Sequence, residues 1–214
     1  MLPLYDENPT KRFPVVTLVV IAANLIVFFA WQVRVGLGPS VALAGLIPAE
    51  LKPVSLFGVE HVFTSMFMHG GLAHLLGNMW FLWIFGDNVE DEIGRFRFVI
   101  LYLLCGIAAA ATHVFLNGPD KVPLVGASGA ISGVLGAYLV LHPAARVKTL
   151  AGFWFIQLPA WFYLLLWIGL QAFALSQLNH VTGPRIAHWA HIGGFIAGIF
   201  LVIFVTPRRH PKDF

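Results

Sequence analysis

Charge is scarce in this chain and cysteine nearly absent. Of 214 residues, only 11% are Asp, Glu, Lys or Arg, while 58% are hydrophobic. Water-soluble domains carry about 25% charged residues, so the composition excludes an ordinary soluble domain and points to a membrane protein. The single Cys105 excludes an internal disulfide and any cysteine-built zinc or iron–sulfur site. It is expected to pack inside a membrane helix. A net charge of +3 makes no concentrated basic patch, so no nucleic-acid partner is assigned.

Asp, Glu, Lys and Arg are missing from six long intervals. These lie between Arg12 and Arg34, Glu60 and Asp87, Arg97 and Asp120, Lys121 and Arg146, Lys148 and Arg185, and Arg185 and Arg208. Each accommodates the roughly 20 residues that a hydrocarbon core demands of a helix. The expected fold is an all-α membrane protein with six transmembrane helices, at about 14–33, 70–87, 95–116, 126–142, 151–176 and 187–206. It reads as one polytopic domain over 1–214, with a short tail at 1–12, a core at about 13–206 and a basic tail at 207–214. Pro3, Asp6, Glu7 and Pro9 ahead of Lys11 are unlike a secretory signal, so the first span is expected to stay as an anchor. Between the first two spans, 34–69 is too long for a turn. Pro39, Pro48 and Pro53 break it, and its apolar residues suit a structure at the outer interface.

Basic residues set the orientation. Lys11, Arg12, Arg95, Arg97, Arg146, Lys148, Arg208, Arg209 and Lys212 fall on the side of the termini, against Arg34, Lys52, Lys121 and Arg185 on the other. Nine against four puts both termini in the cytoplasm. The second, fourth and sixth spans then all run inward.

Polar side chains are costly inside a bilayer and mark function. Here they gather on those same three spans: His69, His74 and Asn78; Ser128 and Ser132; His188 and His191. At about 1.5 Å per residue, Ser128 and His191 lie roughly 10 Å in from the outer markers Lys121 and Arg185. They can meet at one level. His74 and Asn78, four apart, share a helix face near the same end. Gly126 and Gly129 flank Ser128 and allow backbone to approach it. Chemically, a serine nucleophile needs a base such as histidine, and an Asn amide, a His N–H and the Ser128 backbone N–H are suitable donors to an oxyanion. No intramembrane carboxylate stands ready to pair with His191, which argues for a dyad. Gly129, Gly133 and Ala137 on the fourth span and Gly194 and Gly198 on the sixth offer small faces for close packing.

The stretches HGGLAHLLGNMWFLWIFG, GASGAISG and AHIGG, in that order, resemble the rhomboid family of intramembrane serine proteases over nearly the whole chain. The resemblance implies Ser128 as nucleophile, His191 rather than His188 as general base, and His74 and Asn78 as oxyanion donors. It implies a serine endopeptidase that cleaves transmembrane proteins near the outer face, without metal or cofactor, in a lipid bilayer. His69 is expected to order the first loop or a water path, and Glu90 to anchor cytoplasmic loop ends. A minimal six-helix chain of this kind reads as an integral protein of a bacterial inner or plasma membrane; its oligomeric state is not readable. The aromatic fifth span, with Phe153, Trp154, Phe155, Trp161, Phe162, Trp167 and Phe173, is a candidate lipid-facing gate.

Two positions depart from the family pattern. Glu60-His61 stand where many members have Trp-Arg, and Ser132 stands where some carry an aromatic that stacks on the catalytic histidine. Two other readings remain: an inactive rhomboid-like protein that binds clients, and a haem or metal protein built on His69, His74, His188 and His191. The first would be expected to lack the serine or the histidine, and both are present. The second leaves Ser128 and Asn78 without a role.

Overall fold

The computed structural model describes residues 1–51, 56–176 and 187–206. Lys52, Pro53, Arg185 and the basic tail at 207–214 lie outside the described residues. Helix α1 runs over Val15–Val35. It starts directly after Pro14, whose ring fixes φ and which has no N–H to leave unpaired. Its stretch Val27–Gln32 is wound as a π-helix. The first loop folds into α2 (Leu37–Ala44), a 3₁₀ turn at Pro48–Leu51, α3 (Leu56–Thr64) and a second 3₁₀ turn. Then come α4 (Leu72–Ile93), α5 (Arg95–Asn117), α6 (Ser128–Leu141), α7 (Ala160–Ser176) and α8 (His188–Val205).

Three of these helices, α1, α5 and α8, are long and apolar enough to cross a membrane; α6 and α7 are apolar but shorter. Helix α4 has 22 residues and buries Asn78, Asn88 and Glu90. One residue, Gly94, joins α4 to α5 at φ 84°, a left-handed backbone that a side chain disfavours.

The expected all-helical architecture misses a small sheet. Strands β1 (Leu2–Asp6), β2 (Arg146–Ala151) and β3 (Trp154–Pro159) pair antiparallel in that order. Leu2 opposes Leu150, and Arg146 opposes Pro159. The expected fifth span at 151–176 is therefore corrected: its first third is the β2–β3 hairpin, turned at Gly152, and the helix starts at Ala160. Phe153, Trp154 and Phe155 stand exposed on that hairpin and are not part of a gate helix. The expected tail at 1–12 likewise supplies β1. Asp6 receives the Tyr138 hydroxyl of α6, and Trp80 of α4 donates to Pro3 O at 2.6 Å.

Helix α6 is the centre of the packing, buried continuously from Gly129 to Tyr138. Cys105 of α5 is buried against Gly133. The small faces read from the sequence meet each other. A Cβ on Gly198 would overlap Gly133 O, one on Gly194 would overlap Gly129 O, and one on Gly136 would overlap Phe195 O. Here α6 and α8 touch backbone to backbone, as small residues permit where lipid supplies no hydrophobic drive.

At the other end of α4, Glu90 is 3% exposed. Its carboxylate accepts from Val16 N (3.0 Å), Thr17 N (2.7 Å) and Thr17 Oγ1 (2.9 Å), so it caps the first turn of α1. Glu90, expected from the resemblance to anchor cytoplasmic loop ends, ties the end of α4 to the start of α1.

Candidate active site

Helix α6 has only 14 residues and rises about 21 Å, some 9 Å less than a hydrocarbon core of about 30 Å. Its first residue is Ser128, so the hydroxyl is set at the start of a helix too short to reach both faces of such a core. The preceding loop is pinned: Leu46 and Leu124 exchange backbone bonds of 3.0 and 2.7 Å, and Gly126 N donates to Ser65 O at 2.9 Å. Gly126 has φ 117°, and a Cβ there would run into the His74 ring. A side chain at this position is excluded twice, by backbone and by space.

Parallel packing of α6 and α8 brings Ser128 to His191. The Ser128 Oγ donates to His191 Nε2 at 2.8 Å. That bond requires a lone pair on Nε2 and therefore the tautomer with its proton on Nδ1. The Nδ1–H has an acceptor 3.0 Å away, Oε1 of Gln171 on α7. His188 Nδ1 donates to the same oxygen at 2.7 Å, so His188 is a polar contact beside the pair. On its face, His191 meets the Trp167 ring, centroids 5.9 Å apart and planes 33° apart. Ser132, at the position where some family members stack an aromatic, donates to Ser128 O at 2.7 Å and stays within its own helix.

His74 and Asn78 lie on the Gly126 side of the site, both within 3.5 Å of where a Gly126 Cβ would be. Asn78 Nδ2 is 2.9 Å from His69 Nε2, and the His69 and His74 rings meet edge to face at 5.2 Å. One amide N–H of Asn78 is thereby engaged, and the second remains as a donor. His69 is fully buried, and its backbone is read on both sides by Gln32 of α1. His69 N donates to Gln32 Oε1 at 2.9 Å, and Gln32 Nε2 donates to His69 O at 3.1 Å and to Ser40 Oγ at 3.2 Å. The π-helical stretch ends at Gln32. Such widenings gather at functional sites.

The residues predicted from sequence thus fall into one neighbourhood at one end of the bundle. Ser128 and His191 are in direct contact, and His74, Asn78, His69, Gly126 and Gly129 surround them. Among the described residues no three His, Cys, Asp or Glu side chains converge as metal ligands. Gln171 and Gln32 were missed, and Trp167, expected as part of a lipid-facing gate, lies against His191 instead. Each amide is a buried or half-buried polar group within an apolar helix, which is the signal that exposes such residues.

A hydroxyl hydrogen-bonded to a tautomerically defined imidazole is the arrangement that nucleophilic acyl transfer needs. Matches to known proteins agree with that layout. The family model of the rhomboid domain matches residues 57–208. RHOMBOID-like protein 5 of Arabidopsis thaliana is 32% identical over 180 residues, covering 80% of this chain and 53% of the relative. The mitochondrial presenilin-associated rhomboid-like protein of Homo sapiens is 30% identical over 193 residues, 86% of this chain and 47% of the relative. Rhomboid protease GluP of Bacillus subtilis (strain 168) is 30% identical over 191 residues, 87% of this chain and 34% of the relative. The chain spans between a third and about half of these relatives' lengths. Since the matched region holds α4, α6 and α8, and with them every residue of the serine–histidine neighbourhood except Gln32 and its partner Ser40, this integral membrane protein belongs to the rhomboid family.

Proposed function

We propose that the protein is an intramembrane serine endopeptidase that cleaves transmembrane substrate proteins near the outer membrane face through Ser128 and His191. The observation that carries this reading is the 2.8 Å bond from Ser128 Oγ to His191 Nε2. His191 takes the hydroxyl proton as Oγ attacks the scissile carbonyl. Negative charge then develops on the carbonyl oxygen, beside the Ser128 backbone N–H and the donors on His74 and Asn78. Each such donor is commonly worth about 3 kcal/mol. His191 returns its proton to the leaving amine, and water completes hydrolysis of the acyl-enzyme by the same route in reverse.

Topology supports an outward-facing site. Helices α4, α6 and α8 run parallel from the site end. At the opposite end are the start of α1, the Gly94 turn and the sheet, with Lys11, Arg12, Arg95, Arg97, Arg146 and Lys148. Arg34 and Lys121 lie near the site end. This asymmetry supports cytoplasmic termini and a single domain of six membrane-crossing helices, with α1, α4, α5, α6, α7 and α8 as the spans. Lipid bilayer and substrate helices are its partners, and no cofactor is required.

The test is cleavage of a model transmembrane substrate in proteoliposomes by the parent, Ser128→Ala and His191→Ala. Both variants are expected to be inactive, and a fluorophosphonate is expected to label Ser128 in the parent alone. Persistent cleavage by Ser128→Ala would sink the mechanism. Intact binding of a client with no cleavage by the parent would favour a non-catalytic role.

A further inference from the structure

Among the described residues His191 has no carboxylate partner and no aromatic from its neighbouring helix α6, where Ser132 is turned to Ser128 O. Both kinds of support come from elsewhere. Trp167 and Gln171 are four residues apart and so project from one face of α7. Gln171 Oε1 accepts from His191 Nδ1 at 3.0 Å, and the Trp167 ring lies against the imidazole at 5.9 Å. Trp167 is itself wedged, at 6.2 Å from Phe81 of α4 and 6.3 Å from Phe195 of α8.

We propose that Gln171 and Trp167 are positioning residues for His191, so that the general base of this protein is set by α7 rather than by α6. The proposal rests on the Ser128–His191 reading above. Gln171 holds the proton on Nδ1 and leaves Nε2 free for Ser128; Trp167 holds the plane of the ring. A neutral amide suits this place. It accepts two N–H bonds, from His188 and His191, with its two lone pairs, and brings no charge into the bundle. Among the described residues, Ser128 from α6, His188 from α8, and Gln171 with Trp167 from α7 surround the imidazole, and His74 of α4 and His113 of α5 are the other titratable groups whose charge bears on it. Both supports sit on successive turns of one face of α7, so displacing its second half withdraws them together. Base positioning and the location of α7 are one variable.

The experiment compares Gln171→Leu, Gln171→Glu, Trp167→Phe and Trp167→Ala in proteoliposomes, with kcat and KM measured separately across pH and Ser128→Ala as reference. Gln171→Leu is expected to lower kcat by about 10- to 100-fold, the scale of a misplaced catalytic group, with KM nearly unchanged. Gln171→Glu restores the acceptor and is expected to recover kcat, with the acid limb of the profile moved to higher pH, since a carboxylate favours the imidazolium. Trp167→Phe should retain more activity than Trp167→Ala. Nitrogen-15 shifts of His191 give a readout independent of turnover: Nδ1 protonated in the parent and a mixture of tautomers in Gln171→Leu. Unchanged kcat and tautomer in Gln171→Leu, with Ser128→Ala inactive, overturn the positioning role and leave the dyad standing. Loss of kcat in both Gln171 variants without a tautomer change also overturns it. Activity in Ser128→Ala overturns the dyad reading itself.

Discussion

Helices α6 and α8 meet through glycines with nothing between their backbones, whereas α7 lies beside them on aromatic rings and buries only Ala160, Tyr163 and Leu164. Ser128 and His191 belong to the first kind of contact; Gln171 and Trp167 belong to the second. The difference separates what must not move from what can. Backbone contact fixes depth and spacing of the reacting pair, and a side chain added there has nowhere to go. The contact of α7 is made by side chains, which can shift without unfolding the bundle.

Substitutions on the two sides should therefore differ in kind. Gly198→Ala drives a Cβ into Gly133 O. It is expected to destabilise by about 3 kcal/mol or more, the upper range of overpacking, seen as a lowered Tm in detergent and poor recovery of folded protein. A normal Tm would break the comparison at its firm side. Trp167→Ala removes the ring that α7 places between α4 and α8. Here the expected loss is about 2–3 kcal/mol of stability, below the glycine variant, since Trp167 is only half-buried and a fully buried Trp→Ala costs about 3–5 kcal/mol. Gly169, on α7, has no atom within 4 Å of an added Cβ. Gly169→Ala should leave Tm equal or raise it slightly, by at most about 1 kcal/mol of helix propensity. The contrast of Gly198 with Gly169, one residue type on two helices, is the sharpest form of the test.

The smallest effect concerns the end of α6 far from Ser128, where β1 is tied through Asp6 and Tyr138. Burial is the main cause that lifts the Asp6 carboxyl from its ordinary 3.8 to about 6; Asp87 nearby lifts it further, while the Tyr138 bond opposes the rise. The folded state thus holds this proton more tightly than the unfolded chain. Its stabilising share is fully present below pH 3.8 and is lost as pH rises through about 6. Hydrogen exchange in β1, corrected for the intrinsic rate, should show protection declining over that window. Asp6→Asn should flatten the profile, and an unchanged profile would detach β1 from this carboxyl.

Much of the site could be read from the chain because its constraints are local or set by depth. Ser128 and His191 lie at matched distances from charged markers, His74 and Asn78 are four apart, and the glycines repeat every four residues. Glu90 was reached only through the family resemblance, since Asp87, Asp91 and Glu92 stand beside it. The β2–β3 hairpin was hidden by the absence of charge between Lys148 and Arg185, which made a strand pair and a helix look like one span. Strand β1 gains its identity only from its partner β2, far along the chain. Gln171 escaped because no motif contains it. Its meaning depends on α7 lying against α8, a contact that periodicity does not encode.

The π-helical stretch in α1 is best understood as a one-residue insertion that the helix absorbed rather than expelled into a loop. Rewinding Val27–Gln32 as a regular α-helix with the same residues would turn everything after it by about 100° and carry it about 1.5 Å further on. Gln32 would then face away from His69, and the first loop would lose the amide that reads it from both sides. An insertion usually lengthens a protein at its edges. Here it serves as a phase correction, and the register of the histidine corner hangs on how widely six residues of the first helix are wound.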